Sequence, residues 1–156
     1  AKLIRGRADE ATSLLERAVA LEPRFHEAWL NLGTLLADRV RFGEAERALR
    51  EAVRLHFGSA NAAFNLAILL HKMGRIDEAL AEIDRCLALA PDMIEAQRER
   101  LNILLYAEGS TPRSIFDAHR AMGRRVERGV TPIHPSPRPY EDGRRLRVGY
   151  ISPDFR

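Results

Sequence analysis

The chain has 156 residues, of which 25 are basic and 22 acidic, and it is 46% hydrophobic but only 6% aromatic. It contains no apolar run long enough to span a bilayer, so we expect no transmembrane segment and no membrane partner. Its single cysteine, Cys86, excludes an internal disulfide and favours a reducing, cytoplasmic location. Only Lys2 and Lys72 of the basic residues are lysines, which favours a GC-rich bacterial source.

The stretch that starts at His26 and ends at Ser59 is followed by a second copy that starts at Ala60. When the copies are superposed, asparagines coincide at Asn31 and Asn65, and small residues coincide at Gly33 and Ala67. Self-similarity at a fixed period is typical of helical repeat arrays, and it is the main organising feature of the chain.

Each copy has the pattern of a helical hairpin. Small residues recur where two helices would cross closely, Gly74 marks a helix end, and Pro91 closes the second unit. The period and pattern resemble the tetratricopeptide repeat. They predict an all-α solenoid of helical hairpins that winds as a right-handed superhelix.

Counting by the same period extends the array in both directions, with Gly6 falling on Gly74 and Pro23 on Pro91. After the second full copy the match decays, as expected for a terminal cap. The predicted units are a partial repeat that has lost its first helix, two full repeats, a degenerate unit of capping helices, a proline-rich linker and one orphan β-strand, at residues 1–25, 26–59, 60–93, 94–128, 129–145 and 146–156.

Two helices are predicted within the capping unit. The spacing of its apolar residues indicates a first helix over about 94–107. A second helix is expected to start near Pro112, which suits a first helical position, with Ser110 or Thr111 as its cap.

The two ends of the chain differ in charge. Residues 1–109 hold 15 basic and 17 acidic residues, a net of −2, whereas residues 110–156 hold 10 and 5, a net of +5. The arginines of the second part are scattered among prolines and acids without interleaved aromatic residues, so we expect no nucleic-acid partner. The incomplete first repeat and the lone strand together suggest a fragment of a longer protein.

The C-terminal segment GRRLRVGYISPDFR resembles the start of the catalytic region in the O-linked N-acetylglucosamine transferase family (SPINDLY-like, glycosyltransferase family 41). The preceding SIFDAHRAMGRRVE resembles the helix ahead of that region in bacterial members. The resemblance implies a parent enzyme that transfers GlcNAc, with inversion, from UDP-GlcNAc to Ser or Thr of proteins. The catalytic lobes would lie beyond Arg156, so no catalytic or cofactor-binding residue is carried over, and this fragment is expected to be non-catalytic.

In that family, asparagines on successive first helices line an inner groove and hold the backbone of a bound polypeptide. Asn31 and Asn65 occupy this height, Glu99 interrupts the series, and Asn102 is one turn away. An amide suits such a role because it both donates and accepts hydrogen bonds. The remaining predicted groove positions are Leu30, Phe64, Ile68, Arg98 and Tyr106. The alternative is that these asparagines only pack between helices.

Two further functions compete with the peptide-binding region of a transferase. A free-standing repeat adaptor would bind an extended polypeptide in the same groove. Self-association of the chain is compatible with both the transferase region and the adaptor. An enzyme within these residues is disfavoured, because no glycine-rich phosphate loop, carboxylate pair or nucleophile–base set occurs. His26, His56 and His71 lack the i, i+4 spacing and the carboxylate partners of a metal site, so we interpret them as surface or cap residues and expect no metal.

Overall fold

A computed structural model describes residues 2–128. Within that range it contains helices and no strand, and the predicted all-α solenoid of helical hairpins is confirmed. The helices are α1 (Lys2–Leu21), α2 (His26–Asp38), α3 (Phe42–Leu55), α4 (Ala60–Lys72), α5 (Ile76–Leu89), α6 (Ile94–Leu104) and α7 (Pro112–Glu127). The predicted linker at 129–145 and the predicted strand at 146–156 lie outside the described residues.

The helices form antiparallel hairpins that stack side by side. The most extensive packing joins α2 to α3 and α4 to α5. The first helices α2, α4 and α6 also contact one another in series, whereas the backbones of α3 and α5 stay further apart. A stack whose first helices lie closer together than its second helices curves toward the first helices. The face built by α2, α4 and α6 is therefore the inner face.

The core runs as one continuous cluster along the stack. Most of its members recur with the repeat period, because every hairpin buries the same positions. The largest fully buried side chains are Leu49, Leu66, Leu69, Leu70, Ile83, Cys86 and Ile103. Since each hairpin buries its apolar face only against its neighbours, the stack rather than the single hairpin is the stable unit.

The turns that join the two helices of each full hairpin share one geometry. Gly74 has φ +75°, and Val40, which holds the corresponding position one repeat earlier, has φ +61°. In the first turn the amide of Arg41 donates to the carbonyl of Leu36, and the amide of Val40 donates to Ala37. The second turn repeats both bonds, as expected for a Schellman helix end. A valine therefore adopts the left-handed conformation that usually requires glycine.

The two ends of the array depart from the repeat pattern in different ways. Helix α1 starts at Lys2 and runs through Gly6, the position that coincides with Gly74 when the repeats are superposed. Helix α7 begins at Pro112 with Thr111 as its N-cap, in agreement with the predicted start signal. It buries no residue completely, and its backbone lies near that of α6 only. Ile115, Ala118 and Met122 are half-buried, whereas Phe116 is 57% exposed.

None of the helices in the described part of the chain is both long enough and apolar enough to cross a membrane.

A network of ion pairs connects the outer helices of the two full repeats. Nε of Arg50 and Nη1 of Arg75 both donate to Oε1 of Glu46, over 2.8 Å and 2.6 Å. Arg50 and Arg75 also bind Glu78. Burial raises the pKa of the Glu46 carboxyl, but the hydrogen bonds from Arg50 and Arg75 outweigh that effect and hold the pKa below its ordinary value of 4.5.

We expect Glu46→Gln to lower the free energy of unfolding by about 0.5 kcal/mol at pH 7, because the arginines lose a charged partner on a half-exposed surface. A carboxyl whose pKa is lower in the folded chain stabilises the fold above its unfolded pKa, and this stabilisation is lost as the pH falls through the folded value. The difference between variant and wild type should therefore shrink below the ordinary pKa of 4.5. Urea unfolding at pH 7 and at about pH 3 measures it.

Glu51→Gln is the matched control, because Glu51 binds Arg54 three residues along the same helix. Its effect should be smaller, since such a pair joins no second repeat. A Glu46→Gln difference that persisted unchanged at about pH 3 would contradict the assigned role of its charge.

Candidate functional site

The predicted groove residues are distributed over the three inner helices. Leu30 and Asn31 lie in α2, Phe64, Asn65 and Ile68 in α4, and Arg98 and Asn102 in α6. Tyr106 lies two residues beyond the end of α6, because that helix ends at Leu104 rather than continuing to residue 107 as predicted. We call the inner face of α2, α4 and α6 the inner groove.

Asn65 is held in place by the neighbouring helix. Its Nδ2 donates to Oγ1 of Thr34 over 3.1 Å, and Thr34 in turn donates to the carbonyl of Leu30 over 2.9 Å. This arrangement assigns the amide nitrogen of Asn65 to the protein and directs its carbonyl oxygen away from Thr34. Asn31 is exposed, and Asn65 is half-buried. Thr34 lies one turn after Leu30 on α2 and is not among the predicted peptide-binding residues.

The apolar groove residues serve the core as well as the surface. Leu30 and Phe64 are partly buried and pack against the core cluster. Ile68 is also half-buried, one turn after Phe64 on α4. Together they give the first two inner helices an apolar floor beside the two asparagines, which suits contact with peptide side chains in addition to backbone groups.

The second half of the groove is polar and internally paired. Nδ1 of His71 donates to Oε1 of Glu99 over 2.7 Å, and both side chains are 20% exposed. Nδ2 of Asn102 donates to Oε2 of the same carboxylate over 3.2 Å. Glu99, which occupies the place of Asn65 one repeat later, therefore links α4 to α6 much as Asn65 links α4 to α2. The expectation that His71 lacks a carboxylate partner is wrong.

Arg98 and Tyr106 lie at the more open end of the groove. Arg98 is exposed, and Tyr106 is 67% exposed with its ring centroid 5.5 Å from that of His71. Tyr106 also lines a cavity of about 420 Å³ with Gly74 and the start of α5. Tyr106 therefore lies between the inner groove and the turn of the preceding hairpin.

The first repeat brings two histidines together at its base. Nδ1 of His56 lies 3.1 Å from Nε2 of His26, and the rings meet edge to face with centroids 4.6 Å apart. Nδ1 of His26 lies 3.0 Å from Oε2 of Glu27. The expectation of histidines without a carboxylate partner is therefore also wrong for His26. His26 and His56 meet because the hairpin joins positions that are 30 apart in sequence.

Cys86 matches its interpretation as a packed small residue. It is fully buried, its Sγ lies 3.7 Å from Sδ of Met93, and burial raises the pKa of its thiol. A buried thiol with a raised pKa is a poor nucleophile, so this position serves packing.

Comparison with known families agrees with this architecture. The chain matches tetratricopeptide repeat families in two overlapping segments, residues 1–56 and residues 35–101. The chain carries tetratricopeptide repeats. The repeats form a protein-interaction domain.

Among solved structures, a mutant O-GlcNAc transferase of Thermobaculum terrenum is similar over 99% of this chain, with a TM-score of 0.75 and 28% identity. The first tetratricopeptide repeat domain of Spaghetti (RPAP3), bound to an HSP90 peptide, is similar over 65% of this chain and 80% of its own, with a TM-score of 0.61 and 23% identity. The likeness to the second structure establishes the fold alone.

A curated relative is the peroxisomal targeting signal receptor of Yarrowia lipolytica. It is 31% identical over 96 residues, which is 61% of this chain. The chain spans only 16% of that receptor and 32% of the Thermobaculum transferase. These relatives thus extend well beyond the segment that they share with this chain.

Proposed function

We propose that the inner groove binds an extended polypeptide, and that it does so as the acceptor-binding region of a bacterial, cytoplasmic protein O-GlcNAc transferase. The observation that carries the proposal is the fixed orientation of Asn65, whose amide nitrogen is engaged by Thr34. Its carbonyl oxygen is then set to accept a hydrogen bond from the backbone of a polypeptide of any sequence.

The composition of the groove supports an extended ligand. A strand-like peptide exposes backbone amides at regular intervals and side chains on alternate faces. Asn31 and Asn65 supply amides on neighbouring helices, and Leu30 and Phe64 supply apolar surface beside them. Arg98 adds a cationic end, which is suited to acidic or carbonyl-rich positions of the ligand.

The transferase assignment is supported by the likeness to the Thermobaculum terrenum enzyme, which covers almost the whole chain. It is also supported by the RVGYISPDFR segment that follows the repeats. On this proposal the parent protein uses UDP-GlcNAc as its donor substrate, with the donor bound outside the repeats, and the groove delivers a Ser- or Thr-containing segment of the acceptor protein.

A repeat adaptor is the second candidate, and the similarity to a peroxisomal targeting signal receptor favours it. The two functions make different demands on a peptide terminus. An adaptor that recognises a chain end needs cations at fixed groove positions, but the positions in α2 and α4 hold Leu30, Thr34, Phe64 and Ile68. A transferase has to accept internal segments, which agrees with a groove that reads backbone groups.

We expect the chain to bind a fluorescent Ser/Thr-rich peptide weakly, and the double substitution Asn31→Ala with Asn65→Ala to weaken binding about fivefold, which is about 1 kcal/mol. The loss follows from the two backbone hydrogen bonds removed. Fluorescence anisotropy at fixed ionic strength measures the dissociation constant.

Glu51→Ala on the outer helix α3 is the control and should leave the affinity unchanged. Amidation of the peptide terminus should also leave it unchanged, and a large loss on amidation would favour the adaptor. If the double asparagine variant bound as tightly as the wild type, Asn31 and Asn65 would be packing residues and the proposed groove contact would fail.

A further inference from the structure

The paired histidines at the base of the first repeat are the strongest unassigned feature of the molecule. His26 is the first residue of α2, and His56 directly follows the end of α3. They lie outside the inner groove, at the end of the hairpin where the chain enters and leaves it. The proposed peptide contact uses neither of them.

The comparison between repeats shows that packing does not require this pair. The corresponding positions of the second repeat are Ala60 and Ala90. The second hairpin reaches the same fold with two methyl groups where the first has two imidazoles. The position of Glu27 is taken there by Asn61. The histidine pair is thus absent from the second repeat.

The distances fit a shared metal ion. Two ligands bound to one tetrahedral ion at about 2.0–2.1 Å have their nitrogens about 3.3 Å apart. The separation of Nε2 of His26 from Nδ1 of His56 is 3.1 Å. Imidazole nitrogens favour zinc, copper and nickel among the common divalent ions. The side chain of His26 is 27% exposed and His56 is exposed, so an ion can enter from solvent and retain water ligands.

Glu27 completes the arrangement from behind. Its Oε2 lies 3.0 Å from Nδ1 of His26, the ring nitrogen that does not face His56. Histidines that bind metals commonly donate their second N–H to a carboxylate, which fixes the tautomer and orients the ring. A proton held on Nδ1 beside Glu27 would leave the lone pair of His26 on Nε2, the atom that faces His56.

We propose that His26 and His56 form a two-histidine site for a divalent transition-metal ion, oriented by Glu27. His26 binds through Nε2 and His56 through Nδ1, with the His56 proton carried on Nε2 and a small rotation of its exposed ring. The described residues bring no three His, Cys, Asp or Glu side chains together as a metal site, so water completes the coordination. The bound ion would join the start of α2 to the end of α3.

The test uses the whole 156-residue chain without a histidine tag, titrated with Zn²⁺ in isothermal calorimetry. We expect one Zn²⁺ per chain, with binding lost in both His26→Ala and His56→Ala. His71→Ala is the matched control and should bind as the wild type does. Glu27→Gln should weaken binding about tenfold or more through the lost orientation of His26.

Imidazole ¹⁵N NMR of the wild type gives a readout that does not depend on any variant. Zn²⁺ should shift the resonances of Nε2 of His26 and Nδ1 of His56, and circular dichroism of the alanine variants checks that they fold. The proposal is overturned if the wild type binds no Zn²⁺, if His26→Ala and His56→Ala bind as the wild type does, or if the shifts fall on other histidines.

Discussion

Replacing Gly33 with alanine is expected to lower the free energy of unfolding by about 1–2 kcal/mol, although alanine is the better helix former. A Cβ at Gly33 would lie 2.6 Å from Cγ of Leu49 and 3.1 Å from its backbone nitrogen. Leu49 is fully buried, so its side chain has little room to withdraw. The overpacking of α2 against α3 outweighs the gain of about 1 kcal/mol in helix propensity. Urea unfolding measures the difference.

The second repeat suggests the compensating change. At the corresponding positions it holds Ala67 and Ile83, both fully buried, so this combination fits the same crossing. Adding Leu49→Ile to Gly33→Ala should therefore recover at least half of the lost stability, and Leu49→Ile alone should cost less than about 1.5 kcal/mol. A Gly33→Ala variant as stable as the wild type would show that the helices separate at little cost.

Exchanging the turn residues of the two repeats should change stability in opposite directions. Val40→Gly is expected to stabilise the chain by about 0.5–1 kcal/mol, because it removes the left-handed strain of a β-branched residue at φ +61°. Part of that gain is offset by the greater freedom of glycine in the unfolded chain. Gly74→Val should destabilise by about 1 kcal/mol, since it introduces the same strain at φ +75°.

Thermal and urea unfolding of the two single variants and of the double exchange measure these effects. Val40 is 70% exposed, so its removal sacrifices little buried surface and the strain dominates. The double exchange should fall near the sum of the single effects, because the turns lie in separate repeats. If Val40→Gly lowered the stability, the packing of the valine side chain would have to stabilise the turn by more than its backbone strain costs.

The positions of the helices in the two full hairpins follow from the sequence, because the same repeat pattern occurs in both copies. Small residues at the crossing, Gly74 at the turn and Thr111 with Pro112 at the last helix each have a local physical cause, and the structure places them accordingly. Val40 shows the limit of that reasoning. Nothing in its chemistry indicates a left-handed turn, and only its register with Gly74 does so.

The course of α1 shows a similar limit. Gly6 coincides with Gly74 in the repeat register, yet α1 runs through it, because a single glycine in a helix costs only about 1 kcal/mol and neighbouring residues can carry the helix. Repeat register therefore indicates the left-handed turn at Val40 but does not determine the local structure at Gly6.

The sequence indicates which candidate groove residues lie on the first helices of the hairpins, but it does not indicate the hydrogen bonds between those helices. Asn31 and Asn65 were found by register, whereas the bond from Asn65 to Thr34 and the pairing of His71 with Glu99 depend on how neighbouring helices meet. The approach of His26 to His56 likewise requires both ends of one hairpin to come together. Such contacts join positions far apart in sequence and leave no local pattern, so the distance between helices decides them.

The order of helix contacts has a mechanical consequence. In the described residues each helix touches only its nearest or second-nearest neighbours along the chain. Bending of the array is therefore shared among the interfaces between neighbouring hairpins, and each interface contributes a small rotation. The array can admit a bulkier ligand if several hairpins move slightly apart while the packing within each hairpin is kept. Ion pairs that join neighbouring repeats, such as that from Arg75 to Glu46, then resist this bending of the array.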